Sequence, residues 1–153
     1  LSYWIQRIFE IRGSDIPVFV MGDFNDECFN RSMVDYGLST NSETKVRYSN
    51  IPRLFNLMWS THYAGIGSYY YSNFPLTIDQ FLVSKGGILK GSKLQVGSFD
   101  NGEKIKVEML PEMVNDGRYP TPVRFGRPSS KSTYHPNTGY SDHYPISIIL
   151  NEK

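Results

Sequence analysis

The stretch Ile16-Pro17-Val18-Phe19-Val20-Met21 is an unbroken apolar run that stops on Gly22-Asp23. So short a run without polar alternation predicts a strand buried on both faces, which demands a layer of structure on either side of it. Two further segments follow the same plan. Ile78 to Val83 is interrupted by Asp79, and Tyr144 to Leu150 follows directly on Asp142 and His143. Carboxylates set against such strands must be compensated, because burying a charge costs on the order of several kcal/mol unless cations, metals or hydrogen bonds offset it.

The rest of the chain supplies the layers. Leu1, Trp4, Ile5, Ile8 and Phe9 recur at helical spacing and Gly13 stands where a C-terminal cap belongs, so a helix is predicted from Leu1 to Arg12. It has neither an initiator methionine nor a capping residue before it, which predicts a chain cut from a longer polypeptide. Asn30 to Tyr36, closed by Gly37, predicts a short helix, and the polar segment Ser39 to Asn50 a loop. Leu54 to His62, Gly67 to Ser72 and Thr77 to Ser84 predict neighbouring strands, the last broken by Lys85-Gly86-Gly87. Asp100-Asn101-Gly102 is a hairpin-type turn signal between Leu94–Phe99 and Lys104–Leu110, the second of which also fits extended loop. Pro111 to Gly139, rich in Pro, Gly, Ser and Asn and carrying Arg118, Arg124, Arg127 and Lys131, predicts a long loop, functional or partly mobile and so a candidate binding surface, and Tyr144 to Leu150 a final buried strand.

Composition narrows the function. With 153 residues, 39% of them hydrophobic and 14% aromatic, the chain has material for one ordinary core. Its 16 Lys plus Arg nearly balance 15 Asp plus Glu, so no global field draws in nucleic acid and affinity for phosphate must come from a local site. Cys28, the single cysteine, excludes an internal disulfide and leaves the compartment open. No run is long enough for a membrane span, so the expectation is a soluble protein, with the cytoplasm favoured.

The polar residues then have to be weighed. Asp79 shares a strand face with Thr77, Phe81 and Val83 and needs a partner. His143 suits it, since an aspartate bonded to one imidazole nitrogen fixes the tautomer and leaves the other for substrate. A metal bound by Asp142 would neutralise a phosphate while Asp23 positions or deprotonates a water. In isolation each feature has a plainer reading: Gly22-Asp23 as a strand-ending turn, Ser141-Asp142-His143 as a loop or helix cap, and Asp79 as a partner of a backbone amide. Cys28 reads as a packing residue, Tyr69-Tyr70-Tyr71 as alternating packing along a strand, and His62 and His135 as structural or surface residues.

Taken together and in order, Gly22-Asp23-Phe24-Asn25, then Ile78-Asp79-Gln80-Phe81-Leu82-Val83-Ser84, then Ser141-Asp142-His143 before the last strand, resemble the endonuclease/exonuclease/phosphatase superfamily. That superfamily includes deoxyribonuclease I, apurinic endonucleases, inositol-polyphosphate phosphatases and sphingomyelinases. The resemblance covers the whole chain, residues 1–153, as the C-terminal part of a single domain of this kind. It implies an α/β (α+β) fold, a deoxyribonuclease I-like four-layer α/β/β/α sandwich with the site at one end. It also implies a metal-dependent phosphoesterase that uses magnesium or manganese and in-line attack of water. By that resemblance Asp23 orients or activates water, Asn25 helps hold the phosphate and that aspartate, and Asp142 binds or organises metal. His143, aligned by Asp79, stabilises the pentacovalent transition state.

The family's N-terminal half supplies an asparagine, a metal-binding glutamate and further phosphate contacts, so the resemblance implies that this fragment is incomplete for catalysis. Hard cations need several oxygen ligands, and the activity is therefore expected of the parent polypeptide. Strands lacking neighbours also make self-association of the fragment an expectation. The substrate expected is a phosphate ester: nucleic acid, nucleotide, inositol phosphate or lipid head group. The alternative is a non-catalytic binding or interaction domain that keeps the fold.

Overall fold

The structure is a computed structural model that describes residues 1–115, 117–123 and 141–153. It is a mixed α/β protein, as expected, centred on a four-stranded sheet. The strands are β1 (Phe19–Asp23), β2 (Ser39–Thr40), β3 (Leu54–Asn56) and β6 (Asp79–Ser84), in the order β1-β6-β3-β2. β6 lies between antiparallel neighbours, and Gln80 to Ser84 are all buried.

The two faces of this sheet carry separate cores, because alternate residues of a strand point to opposite sides. On one face Leu54 and Leu82, with Val18 and Val20 beside them, pack against Ile5 and Phe9 of helix α1 (Ser2–Arg12) and Met33 of the short helical segment Ser32–Tyr36. On the other, Phe81, Val83 and Phe19 meet Tyr70, Ile105, Val107 and Tyr144. Those residues sit on or beside three two-stranded ladders. β4 (Tyr69–Tyr71) pairs with β5 (Phe74–Leu76), β7 (Leu94–Val96) with β10 (Leu150–Glu152), and β8 (Lys106–Val107) with β9 (Ile146–Ser147). Helix α2 (Glu43–Tyr48) and the helical turn α4 (Lys85–Ile88) place Val46 and Ile88 in the same core.

Helix α1 ends as predicted, with Gly13 at φ +89 and its N–H donating to the Phe9 carbonyl at 2.9 Å. Its apolar stripe is wider than its contact with the sheet, however. Ile5 is buried and Phe9 packs beside it, whereas Trp4 is 67% exposed.

Several segments differ from expectation for identifiable reasons. The run ending at Met21 is not buried on both faces: β1 lies at the edge of the sheet, with β6 as its neighbour, and Met21 is 62% exposed. Ser39 to Asn50 is not loop throughout, because Ser39–Thr40 pairs in parallel with β3 and Ser42 caps α2 by accepting from the Lys45 N–H at 3.2 Å. Leu54 to His62 is strand only as far as Asn56. There the Asn56 carbonyl oxygen of the side chain accepts from the Met58 N–H at 3.0 Å and turns the chain into helix α3 (Trp59–Tyr63).

The turn at Asp100-Asn101-Gly102 forms, with Gly102 at φ +83 and the Phe99 N–H donating to the Glu103 carbonyl. The segments on either side do not continue as a hairpin; they pair with the two halves of the C-terminal segment instead. That segment is accordingly split into β9 and β10 and is half-buried over Ile146 to Ile149. Within the predicted long loop, Pro111–Met113 forms a single 3-10 turn and Val114 bridges Pro122, while Arg124, Arg127, Lys131 and His135 lie outside the described residues. No helix among the described residues is long and apolar enough to cross a membrane.

Candidate active site

The register of β1 against β6 runs from Phe19 opposite Val83 to Asp23 opposite Asp79. Directly opposed residues of an antiparallel pair point to the same face, so the ladder ends by setting two carboxylates side by side. The Phe24 N–H continues the ladder by donating to the Ile78 carbonyl at 3.0 Å. Gly22 just before, at φ +147, holds a conformation that an L side chain rarely adopts.

Asn25 follows in the left-handed region at φ +52, which asparagine tolerates better than most residues. Its N–H donates to Asp23 Oδ1 at 2.8 Å and its side-chain amide lies 3.4 Å from Oδ2. The Asp-Phe-Asn order is thus a local turn in which the aspartate is oriented by the backbone two residues on.

His143 arrives from the other layer. Tyr144 is buried; its N–H donates to the Ser68 carbonyl at 2.7 Å and its phenol to the Pro120 carbonyl at 2.9 Å. Burial, with the Tyr70 phenol adding to it, pushes the Tyr144 phenol up to about 12, which keeps it an O–H donor. So anchored, the chain bridges His143 to Tyr69, whose ring lies 4.8 Å from the imidazole at 37°. His143 Nδ1 then sits 2.7 Å from Asp79 Oδ2. With the proton on Nδ1 the imidazole donates to Asp79 and keeps Nε2 for a ligand.

Ligand atoms of Asp23, Asp79 and His143 lie within 4.8 Å of one another, and the group is partly open to solvent. Of the five residues singled out from sequence, the structure gathers Asp23, Asn25, Asp79 and His143. Asp142 is half-buried one position away and lies outside the three-residue group. Asp23 has no ion pair with any described residue. Opposed like charges on a ladder cost roughly 0.2–1 kcal/mol, and with His143 Nδ1 taken up by Asp79 the ligand atoms that remain are carboxylate oxygens and His143 Nε2. That set fits a hard divalent cation such as magnesium or manganese.

The other candidates fall where packing explains them. Cys28 is fully buried, and burial pushes its thiol up to about 11, as a packing residue rather than a nucleophile would have it. Tyr69, Tyr70 and Tyr71 alternate half-buried, buried and exposed. His62 lies among Phe29, Trp59 and Tyr63, and Arg118 lies over the Tyr119 ring. A cavity of about 620 Å³ lined by Phe9, Asn50, Arg53 and Lys85 is found at the Ser84 end of β6, away from Asp79.

Sequence reasoning missed the stacking of Tyr69 on His143 and a set of buried polar contacts beneath the carboxylates. Gln80, fully buried, accepts from the Asn56 side-chain amide at 2.8 Å and donates to the carbonyls of Asp26 and Thr77 at 2.7 and 2.5 Å. A polar side chain between the apolar residues Ile78 and Phe81 was the available signal.

A mixed α/β sandwich that gathers acidic side chains and a histidine at the ends of its strands defines the class. The chain belongs to the endonuclease/exonuclease/phosphatase family, whose pattern matches residues 8–152. The family is one of hydrolases of the general nuclease and phosphatase type, which act on phosphate esters and generally depend on divalent metal. Comparison with curated proteins and with solved structures gave no match.

Proposed function

We propose that the protein hydrolyses a phosphodiester or phosphomonoester by in-line attack of water, with magnesium or manganese as cofactor. The observation that carries this reading is the cross-strand pair Asp23–Asp79 with His143 bonded to Asp79 at 2.7 Å. Asp23, oriented by Asn25, positions the attacking water and accepts its proton. Asn25 contributes an amide to the phosphate. His143, held in one tautomer by Asp79, donates from Nε2 to the phosphate oxygen on which charge develops. Asp142, the metal ligand that the resemblance implies, would hold the cation beside this group, where it would supply neutralisation of the phosphate charge.

Magnesium and manganese take about six ligands, several of them water and substrate oxygens, and the carboxylates of this group can fill only part of that shell. We therefore read the chain as the C-terminal part of one domain whose parent polypeptide supplies the remaining ligands. The open outer edge of β1 makes self-association of the isolated chain part of the same proposal.

The test is turnover by the full-length parent on plasmid DNA, an abasic-site duplex, bis-p-nitrophenyl phosphate and inositol phosphates, with magnesium, manganese or chelator. Metal-dependent cleavage that chelator abolishes is expected, and the preferred substrate names the branch of the family. Absence of turnover on every substrate, with no binding of either metal, would sink the reading in favour of a non-catalytic interaction domain.

A further inference from the structure

The two aspartates stand near the end of an antiparallel ladder, and strands open most easily at their ends. Beyond that end the chain is tied at two points. Glu27, its side chain 13% exposed, turns its carboxylate inward to accept from the Thr77 N–H at 3.0 Å, and the same oxygen takes a short hydrogen bond from the Thr77 hydroxyl. One residue earlier the Asp26 carbonyl accepts from Gln80. The loop that leaves Asp23 is therefore fastened to the residues on either side of Asp79.

Packing alone does not account for Glu27. A nearly buried carboxylate costs more than an apolar side chain of similar size unless its hydrogen bonds give something in return. Its ion-pair neighbour, His62 Nδ1 at 3.8 Å, is beyond hydrogen-bond reach, so the donors that hold it are both on Thr77. Thr77 lies two residues before Asp79, and Glu27 two residues after Asn25.

We propose that Glu27 is a positioning residue: through Thr77 it holds Asp79 opposite Asp23, so that both carboxylates and His143 keep one arrangement. The effect on turnover rests on the hydrolase reading above; the effect on the ladder does not. What matters is an acceptor in the right place rather than the negative charge. Glutamine, whose carbonyl oxygen can accept from the same two donors, should therefore replace glutamate, and alanine should not.

The experiment compares Glu27→Ala, Glu27→Gln and Thr77→Val with the unmodified full-length protein. Amide hydrogen exchange is read at Phe24, the last rung beside the two aspartates, and at Leu82 in the middle of β6. Glu27→Ala is expected to speed exchange about tenfold at Phe24 and to leave Leu82 unchanged, with Glu27→Gln at the original rate and Thr77→Val between. In turnover, Glu27→Ala is expected to lower kcat by about 10- to 100-fold with KM within about twofold, and Glu27→Gln to restore it. Equal acceleration at Phe24 and Leu82 would make Glu27 an ordinary stabilising residue and overturn the proposal. Glu27→Gln as impaired as Glu27→Ala overturns it too, since the charge would then be what counts. If Glu27→Ala fails to fold, Thr77→Val carries the same two readouts. A protein without turnover on any substrate removes the hydrolase reading and leaves the exchange comparison to decide the positioning role.

Discussion

At its Ser84 end β6 closes on satisfied hydrogen bonds and tight backbone contacts, whereas at its Asp79 end it meets a second carboxylate. The Ser84 hydroxyl accepts from the Val18 N–H at 2.9 Å and donates to the Ile16 carbonyl at 2.8 Å, and the Ser84 N–H donates to the Val18 carbonyl. Gly86 then passes so close to Ile16 that an added Cβ would lie 2.2 Å from its carbonyl carbon. At the other end, like charges face each other at a partly open edge with a histidine beside them. The same strand is thus optimised for packing at one end and held in an unfavourable electrostatic arrangement at the other. On the proposed function, residues that stabilise the fold and residues that serve the site are separated along a single strand.

The largest effect expected from this contrast is functional. His143→Ala in the full-length protein should lower turnover by about 1000-fold, or roughly 4 kcal/mol of transition-state stabilisation, with little change in substrate affinity. Unchanged kcat would remove His143 from the mechanism and the functional character from this end of the strand. Gly86→Ala should do the reverse, costing about 3 kcal/mol in a urea unfolding curve because the close contacts are backbone atoms that cannot swing away. A stable Gly86→Ala protein would show that the Ser84 end has more room than the contacts imply.

Ser84→Ala should cost about 2 kcal/mol, since it strands the Val18 N–H and the Ile16 carbonyl while leaving turnover per folded molecule unaltered. The smallest effect, and the one of opposite sign, belongs to Asp23→Asn. In chelator it should stabilise the protein by about 0.5 kcal/mol by relieving the charge opposed to Asp79, while abolishing any rise in melting temperature on adding manganese. A destabilised Asp23→Asn protein in chelator would mean that the opposed carboxylates are not in conflict.

The parts of this molecule visible in its sequence are those fixed by near neighbours. The apolar runs gave β1 and β6, Gly13 gave the end of α1, and the chemistry of Asp79 and His143 gave their pairing before the register was known. Ser42 caps α2 inside a polar segment whose composition predicts loop. What local pattern could not give was which strand pairs with which. Leu94–Val96 and Lys106–Val107 flank a proper turn, yet they find their partners in the C-terminal segment. The bond from Thr77 to Glu27 spans 50 positions, and no periodicity in either segment announces it.

The bond between Asp79 and His143 joins positions 64 apart. Closing such spans is slow compared with forming local turns, and during synthesis each must wait for its distant half to be made. Chains of intermediate length therefore hold the acidic residues without the histidine that completes them. On the proposed function, chemical competence would arrive late, as a by-product of connectivity.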